Sequence, residues 1–447
     1  MRRPRTETIP AAYRLRMFGF LRREQPGQAA VFFPGSAPPP ADAFLRLRDR
    51  GYELAELEPR DNLWALSLAH PTLGTADLWC EREMPPLADF IQFASNLTPR
   101  EKAAGNAAAA SVRLQVPATR RNVLRDRKTL LRMARDVLGE DGVMVLDLAS
   151  QLPWSPVSLA DEMAHDADLD VEALYCLHSV FDGDEPDETN PVHWLHSHGL
   201  AELGGFDIDV VAPHPDFVPL GAESIRAIAT MILNGDVAAD QSRFAFAHPG
   251  GEARFVPAAE FMRTAKPQHT ELRHADDHDE RRSVLCEPAG RRVLGFGRGD
   301  TPEPLAIARR PPPDQFVVFF HESATKLMAE RSAATVGILR SMMAEFAGFE
   351  VVTLLKLGYP TPEGSKEHLW FEAHAIGDTT ADATLENTPF EVDLRPGERA
   401  DRPLELLTDW MIITPAGMIT PRSFIAARLL RENPDEIRRE MTAGGPG

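Results

Sequence analysis

The sequence predicts a multidomain α+β protein, mixed α/β in its middle and ending in a small β-rich domain. A chain of 447 residues exceeds one ordinary core at ~150 residues per domain. Short strand-like runs alternate with amphipathic helical stretches over most of its length. Between Glu367 and Trp410, aromatic, acidic and amide residues alternate and turn like a compact β unit.

Residues 10–100 read as an α+β domain. Tyr13 to Phe20 and Ala30 to Phe33 are strand-like, and Pro38-Pro39-Pro40 ends the second run. Asp42 is placed to cap a helix over Ala43 to Arg50, with Gly51 as its stop. Leu63 to Leu68 and Ala76 to Cys80 flank a turn containing Pro71 and Gly74.

Residues 111–235 read as a mixed α/β domain. An Ala-rich helix or linker leads into a strand over Ser111 to Val116. A basic amphipathic helix then spans Arg120 to Leu138, and a strand spans Val143 to Asp147. Ser158 caps a short helix, Val171 to Phe181 is a long strand, Trp194 to Leu203 a short helix, Phe206 to Val211 a strand, and Gly221 to Leu233 a helix stopped by Asn234-Gly235. Residues 236–315 read as a weakly structured connection ending in the stiff Arg309-Arg310-Pro311-Pro312-Pro313.

Residues 316–442 form the last expected domain. Phe316 to Phe320 is a buried strand, and Thr325 to Phe346 a helix whose Leu, Ile and Met residues recur at helical spacing. Strands follow over Val351 to Leu357, His368 to Ala375, Asp382 to Leu385, Glu391 to Leu394 and Leu404 to Leu407, then a charged helix from Ser423 to Glu440.

Composition bounds the function. Lys and Arg number 48 against 67 Asp and Glu, and a net charge of -19 repels phosphates, so no nucleic-acid partner is expected. Arg120, Arg121, Arg125, Arg127, Lys128, Arg132 and Arg135 are spread around their helix and read as a solvated face. Cys80, Cys176 and Cys286 stand far apart with no CxxC pairing, which fits a reducing cytoplasm. No apolar run approaches ~18 residues and the Arg-rich start lacks an apolar core, so neither membrane spanning nor secretion is expected.

Glu367-His368-Leu369-Trp370, Leu385-Glu386-Asn387-Thr388-Pro389, Gly397-Glu398 and Asp409-Trp410-Met411 occur in an order that resembles the bacterial YegJ-like family, domain of unknown function 2314 (DUF2314). Val192 to Leu200 followed by Leu203-Gly204 is similar to domain of unknown function 4026 (DUF4026), which accompanies the first. These resemblances imply a bacterial cytoplasmic protein and no particular reaction.

Two clusters carry candidate chemistry. His193, His196 and His198, with Glu202 beyond, offer ligands for a divalent metal. The spacing is not HExxH, and His196 and His198 share a metal only if the segment is extended or turning. His178, Asp182 and Asp184 approach if the strand from Val171 pairs alongside. The bland alternative is a strand or turn leading into a helix, with one histidine capping or buried against a backbone carbonyl.

In the C-terminal stretch Glu367, His368 and Asp409 are the candidate acid–base residues, and Trp370, Asn387 and Trp410 the candidate ligand-binding ones. Adjacent Glu367 and His368 point to opposite faces of a strand, and Asn387 and Asp409 also suit turns. Gly295 to Gly299 lacks the flanking strand and helix of a phosphate loop, no serine lies in a GxSxG elbow, and His269 to Glu280 reads as a solvated loop. With no complete catalytic motif, the leading expectation is a non-catalytic protein-binding or regulatory protein that meets another protein through its acidic surface. The alternative is a metal-dependent hydrolase centred on His193, His196 and His198.

Overall fold

The computed structural model describes residues 26–443, apart from 36, 59–62, 81–82, 118–121, 183–190, 202–204, 238–242, 274–280, 290–300, 314–315, 319–321, 363 and 365, and apart from the side chains of 323 and 440–443. The expected strand over Tyr13 to Phe20 lies outside these residues. The fold is α+β, built on three sheets with helices against their faces.

The first sheet comprises β1 (Gly27–Phe33), β2 (Glu53–Leu57), β3 (Trp64–His70), β4 (Gly74–Cys80), β5 (Ala110–Val116), β6 (Met144–Asp147) and β7 (Pro153–Trp154), in the order β2-β3-β4-β5-β1-β6-β7. Alternation in β1 explains its central place. Ala29, Val31 and Phe33 share a core with Leu130, Leu131 and Val137 of the long helix Val123–Leu138, while Ala30 and Phe32 pack with Leu87 and Ile91 of the helix Leu87–Phe93. In chain order these helices are α3 and α1, with α2 (Pro99–Asn106) between them, started by a capping box of Thr98 and Glu101.

Two expectations change here. Because β5 pairs with both β1 and β4, the division expected between 100 and 111 runs through a sheet. The basic face of α3 is not wholly solvated either: Arg127 is buried on Asp147 at 2.8 Å, and Lys128 is buried 3.2 Å from Glu162. Arg120 and Arg121 lie outside the described residues. Glu162 belongs to α4 (Pro156–Met163), which is capped by Ser155 and not by Ser158.

The second sheet comprises β8 (Cys176–Val180), β9 (Trp194–His198), β10 (Asp207–Val211), β11 (Phe244–His248), β12 (Gly251–Pro257), β13 (Arg282–Cys286) and β14 (Val317–Val318), in the order β14-β11-β12-β13-β10-β9-β8. The helix α5 (Phe217–Asn234) covers one face, where Leu195, Ile208, Val210, Phe255 and Leu285 meet its Ile225 and Ile228. On the other, Val211, Val256, Val284 and Cys286 meet Phe261 of α6 (Ala258–Thr264) and Leu272 of α7 (Pro267–Arg273).

Several elements differ from their sequence reading. Trp194–His198, expected to begin a helix running to Leu203, is the strand β9, because Trp194, His196 and His198 alternate with Leu195 and Ser197, which face the other way. Val171–Leu174 is a 3-10 turn, and the strand starts only at Cys176. The region 236–315 supplies β11, β12, α6, α7 and β13, so it completes this sheet instead of connecting domains. Its short strands read weakly because their partners are remote in sequence: β13 pairs with β10 and β12.

The third sheet comprises β15 (Val352–Pro360), β16 (Lys366–Ile376), β17 (Thr380–Leu385), β18 (Arg399–Pro403), β19 (Leu407–Thr414) and β20 (Gly417–Ile419), in the order β18-β17-β16-β15-β19-β20. Leu339 and Met342 of α8 (Glu322–Glu345), with Phe346 just after it, share a core with Leu355, Phe371, Trp410 and Ile412. Glu391 to Leu394, expected as a strand, is a loop, and the final helix divides at Asn433 into α9 (Ile425–Glu432) and α10 (Pro434–Ala443).

Buried ion pairs join this last unit to the first. Arg331 of α8 holds Glu162 through Nη1 at 3.0 Å and Nη2 at 2.5 Å, and donates to Pro421 O and Asp168 O. Arg428 of α9 reaches Asp161 at 2.7 Å, Glu101 at 3.0 Å and Asn96 O at 2.6 Å. No helix among the described residues is long and apolar enough to cross a membrane.

Candidate metal centre

The antiparallel register of β8 and β9 sets Cys176 opposite His198 and His178 opposite His196. Directly opposed residues share a face, as do residues two apart on one strand, so all four side chains stand in a square on one side of the sheet. That side faces α6 and α7, because β10 sets Asp209 and Val211 opposite His196 and Trp194. The donor atoms of His178, His196 and His198 lie within 4.8 Å of one another. Cys176 Sγ is 3.3 Å from His178 Nε2.

Local packing holds the square. His196 is buried, whereas Cys176, His178 and His198 are half-buried at the sheet edge. The Trp194 ring lies 4.2 Å from that of His196, tilted by 42°, and under Arg273 at 4.8 Å and Arg282 at 5.8 Å. Both guanidiniums are held by Asp209, at 2.7 Å and 2.9 Å. Burial pushes the Asp209 carboxyl upward, and Arg282 and Arg273 oppose the shift. Gly199, at φ 126°, turns the chain immediately after His198; a Cβ there would collide with Leu174 O and lie 2.9 Å from Ser150 Cα.

The four side chains have the chemistry of a transition-metal site. Neutral imidazoles and a thiolate are borderline-to-soft donors of the kind zinc and its neighbours take. Burial, with Asp207 as a lesser cause, pushes the Cys176 thiol up to about 12, so it carries its proton until a metal replaces it.

Of the residues singled out by sequence, His196 and His198 therefore meet, with His178 as the third partner. His193 does not join them: it is one residue before Trp194, on the opposite face, and its Nε2 lies 3.8 Å from Asp182 Oδ2. Glu202 and Asp184 lie outside the described residues. Cys176 gives no signal by CxxC spacing, yet Cys-x-His and His-x-His are the i, i+2 patterns that place two donors on one strand face.

In the C-terminal sheet the candidates are separated. The Glu367 carboxylate accepts from the backbone N–H groups of Phe390, Glu391 and Val392 at 2.6, 2.9 and 3.0 Å, which hold it below its usual range. His368 Nδ1 is 3.0 Å from Thr408 Oγ1, and burial, then Lys356, lowers its pKa. Asn387 Oδ1 accepts from Trp370 N at 2.5 Å, and Asp409 pairs with Arg422 at 3.1 Å.

The two indoles do not form one platform. Across β15, Trp410 is opposite Leu355 and Trp370 opposite Lys356, and adjacent residues point to opposite faces. Trp410 is fully buried, donating from Nε1 to Thr335 Oγ1 at 3.0 Å; Trp370 lies half-buried with Lys356 Nζ 5.4 Å from its ring centroid. Of the weaker marks, Gly295 to Gly299 and His274 to Glu280 lie outside the described residues, while His269 is buried against Glu303 at 3.2 Å. No family model, curated protein or solved structure matches the chain.

Proposed function

We propose that this is a metal-binding protein, with a zinc-class divalent ion held by His178, His196 and His198, and that it acts by binding or regulation. The observation that carries the reading is the convergence of three imidazole donor atoms within 4.8 Å from two paired strands. Around a tetrahedral ion with Zn–N of about 2.0–2.1 Å, nitrogen donors stand about 3.3 Å apart, so the three rings draw inward on loading. The geometry gives a hydrolase little support: Asp209, the carboxylate opposite His196, is locked between two arginines and is not free to serve as a base.

On the same footing we propose a bacterial cytoplasmic setting and kinship with the YegJ-like DUF2314 and DUF4026 domains, supported by the motifs quoted above. A partner protein for the acidic surface belongs to this proposal too, supported by the net charge of -19.

The test is elemental analysis of tag-free protein loaded with zinc and passed through a desalting column. One zinc per chain is expected for the native sequence, and a substoichiometric amount for His178→Ala and His198→Ala variants that keep the native circular dichroism spectrum. Zinc-free native protein, or full occupancy in both variants, would overturn the reading.

A further inference from the structure

We infer that Cys176 is the fourth ligand, so that the ion sits in a closed sphere of one thiolate and three imidazoles with no open position for substrate. The inference rests on the three-histidine reading above and deepens it. Its basis is placement: Cys176 is directly opposite His198 and two residues from His178, at the remaining corner of the square, with its Sγ against His178 and outside the 4.8 Å group of the three histidines, so the thiol turns inward to close the sphere on loading. With Zn–S of about 2.3 Å and Zn–N of about 2.0–2.1 Å at the tetrahedral angle, sulfur and nitrogen donors stand about 3.5 Å apart. The Sγ to Nε2 distance between Cys176 and His178 is 3.3 Å, close to that edge.

On loading, the metal–sulfur bond forms as the S–H bond breaks, and the proton leaves to solvent; no oxidant or reductant is needed. Four protein ligands mark structural sites, whereas catalytic zinc keeps one position for water. The centre therefore fastens the sheet-edge strand β8 to β9 and does not activate water. This removes the chemical basis for hydrolysis while retaining the metal.

Cobalt(II) is the probe, titrated into tag-free full-length protein kept reduced with a phosphine that does not bind the metal. The expected result is one cobalt per chain, an intense visible spectrum of tetrahedral cobalt, and a near-ultraviolet thiolate-to-cobalt charge-transfer band. In Cys176→Ala the charge-transfer band disappears and affinity falls at least tenfold, with the histidines still binding. In Cys80→Ala and Cys286→Ala, which remove thiols buried elsewhere, the band stays. Cobalt bound by the native chain without a thiolate band, or a band that persists in Cys176→Ala, overturns the inference and leaves the three-histidine reading standing. A native chain that binds no cobalt overturns both.

Discussion

Replacing Arg331 with alanine tests what holds the C-terminal unit to the rest of the chain. Its guanidinium is 2% exposed and makes four hydrogen bonds: two to Glu162, one to Pro421 O and one to Asp168 O. Deleting it strands a carboxylate that is itself 5% exposed, leaving Lys128 Nζ at 3.2 Å as the remaining cation. Breaking a buried pair by removing one partner costs roughly 3–5 kcal/mol, and the two carbonyls lose a donor besides.

The deficit should depend on pH. In the native protein burial raises the Glu162 pKa, but Arg331 and Lys128 together bring it below its ordinary value. A depressed carboxylate stabilises the fold above its unfolded pKa, and that contribution is lost as pH falls through the folded value. Without Arg331 burial dominates and the Glu162 pKa rises, so the variant's deficit is full near pH 7 and shrinks as pH falls toward 4. Guanidinium unfolding followed by tryptophan fluorescence measures both. A loss under about 1 kcal/mol at pH 7, or a deficit that grows on acidification, would refute the reasoning.

Three further outcomes are expected. Trp410→Ala should cost roughly 3–5 kcal/mol in chemical denaturation, because a fully buried indole and its bond to Thr335 are lost, whereas Trp370→Ala should cost markedly less. Glu367→Gln should speed amide hydrogen exchange selectively at Phe390, Glu391 and Val392, the three N–H groups that its carboxylate holds; unchanged protection there would contradict the clasp. His165, buried and lowered to about 4 from 6.5, resists protonation in the fold, so stability falls as pH drops from 6.5 toward 4, and His165→Gln should flatten that part of the stability profile.

Local pattern and long-range pairing account for what could be read from the chain alone. The α+β class, the hairpin of β3 and β4, α5 with its Gly235 stop and the apolar run of β1 were legible because each depends on a pattern or a turn residue within a short window. The second sheet was not, since β10 and β13 are parallel neighbours separated by α5, two further strands and two helices.

The metal centre shows the same limit at the scale of single residues. His196 and His198 could be picked out as a pair, but assigning Trp194 to Leu203 to a helix turned them apart. His178 was identified as able to approach only if a particular strand paired, and that pairing places it. Cys176 shares the i, i+2 spacing with His178 in the sequence, but only the register sets it against His198. The turn roles that suit Asn387 and Asp409 by sequence are not the ones they fill: Asn387 Oδ1 takes the N–H of Trp370 on β16, and Asp409 lies within β19, paired with Arg422, because both partners are remote in sequence.

The measurement that tests the central claim most directly is zinc competition against a chromophoric chelator, using the tag-free native chain and a His178→Ala/His198→Ala double variant. The native protein should withdraw one zinc per chain from the chelator, while the double variant, folded and melting cooperatively, withdraws none. A native chain that takes no zinc, or a double variant that takes it as well as the native one, would contradict a centre built on β8 and β9.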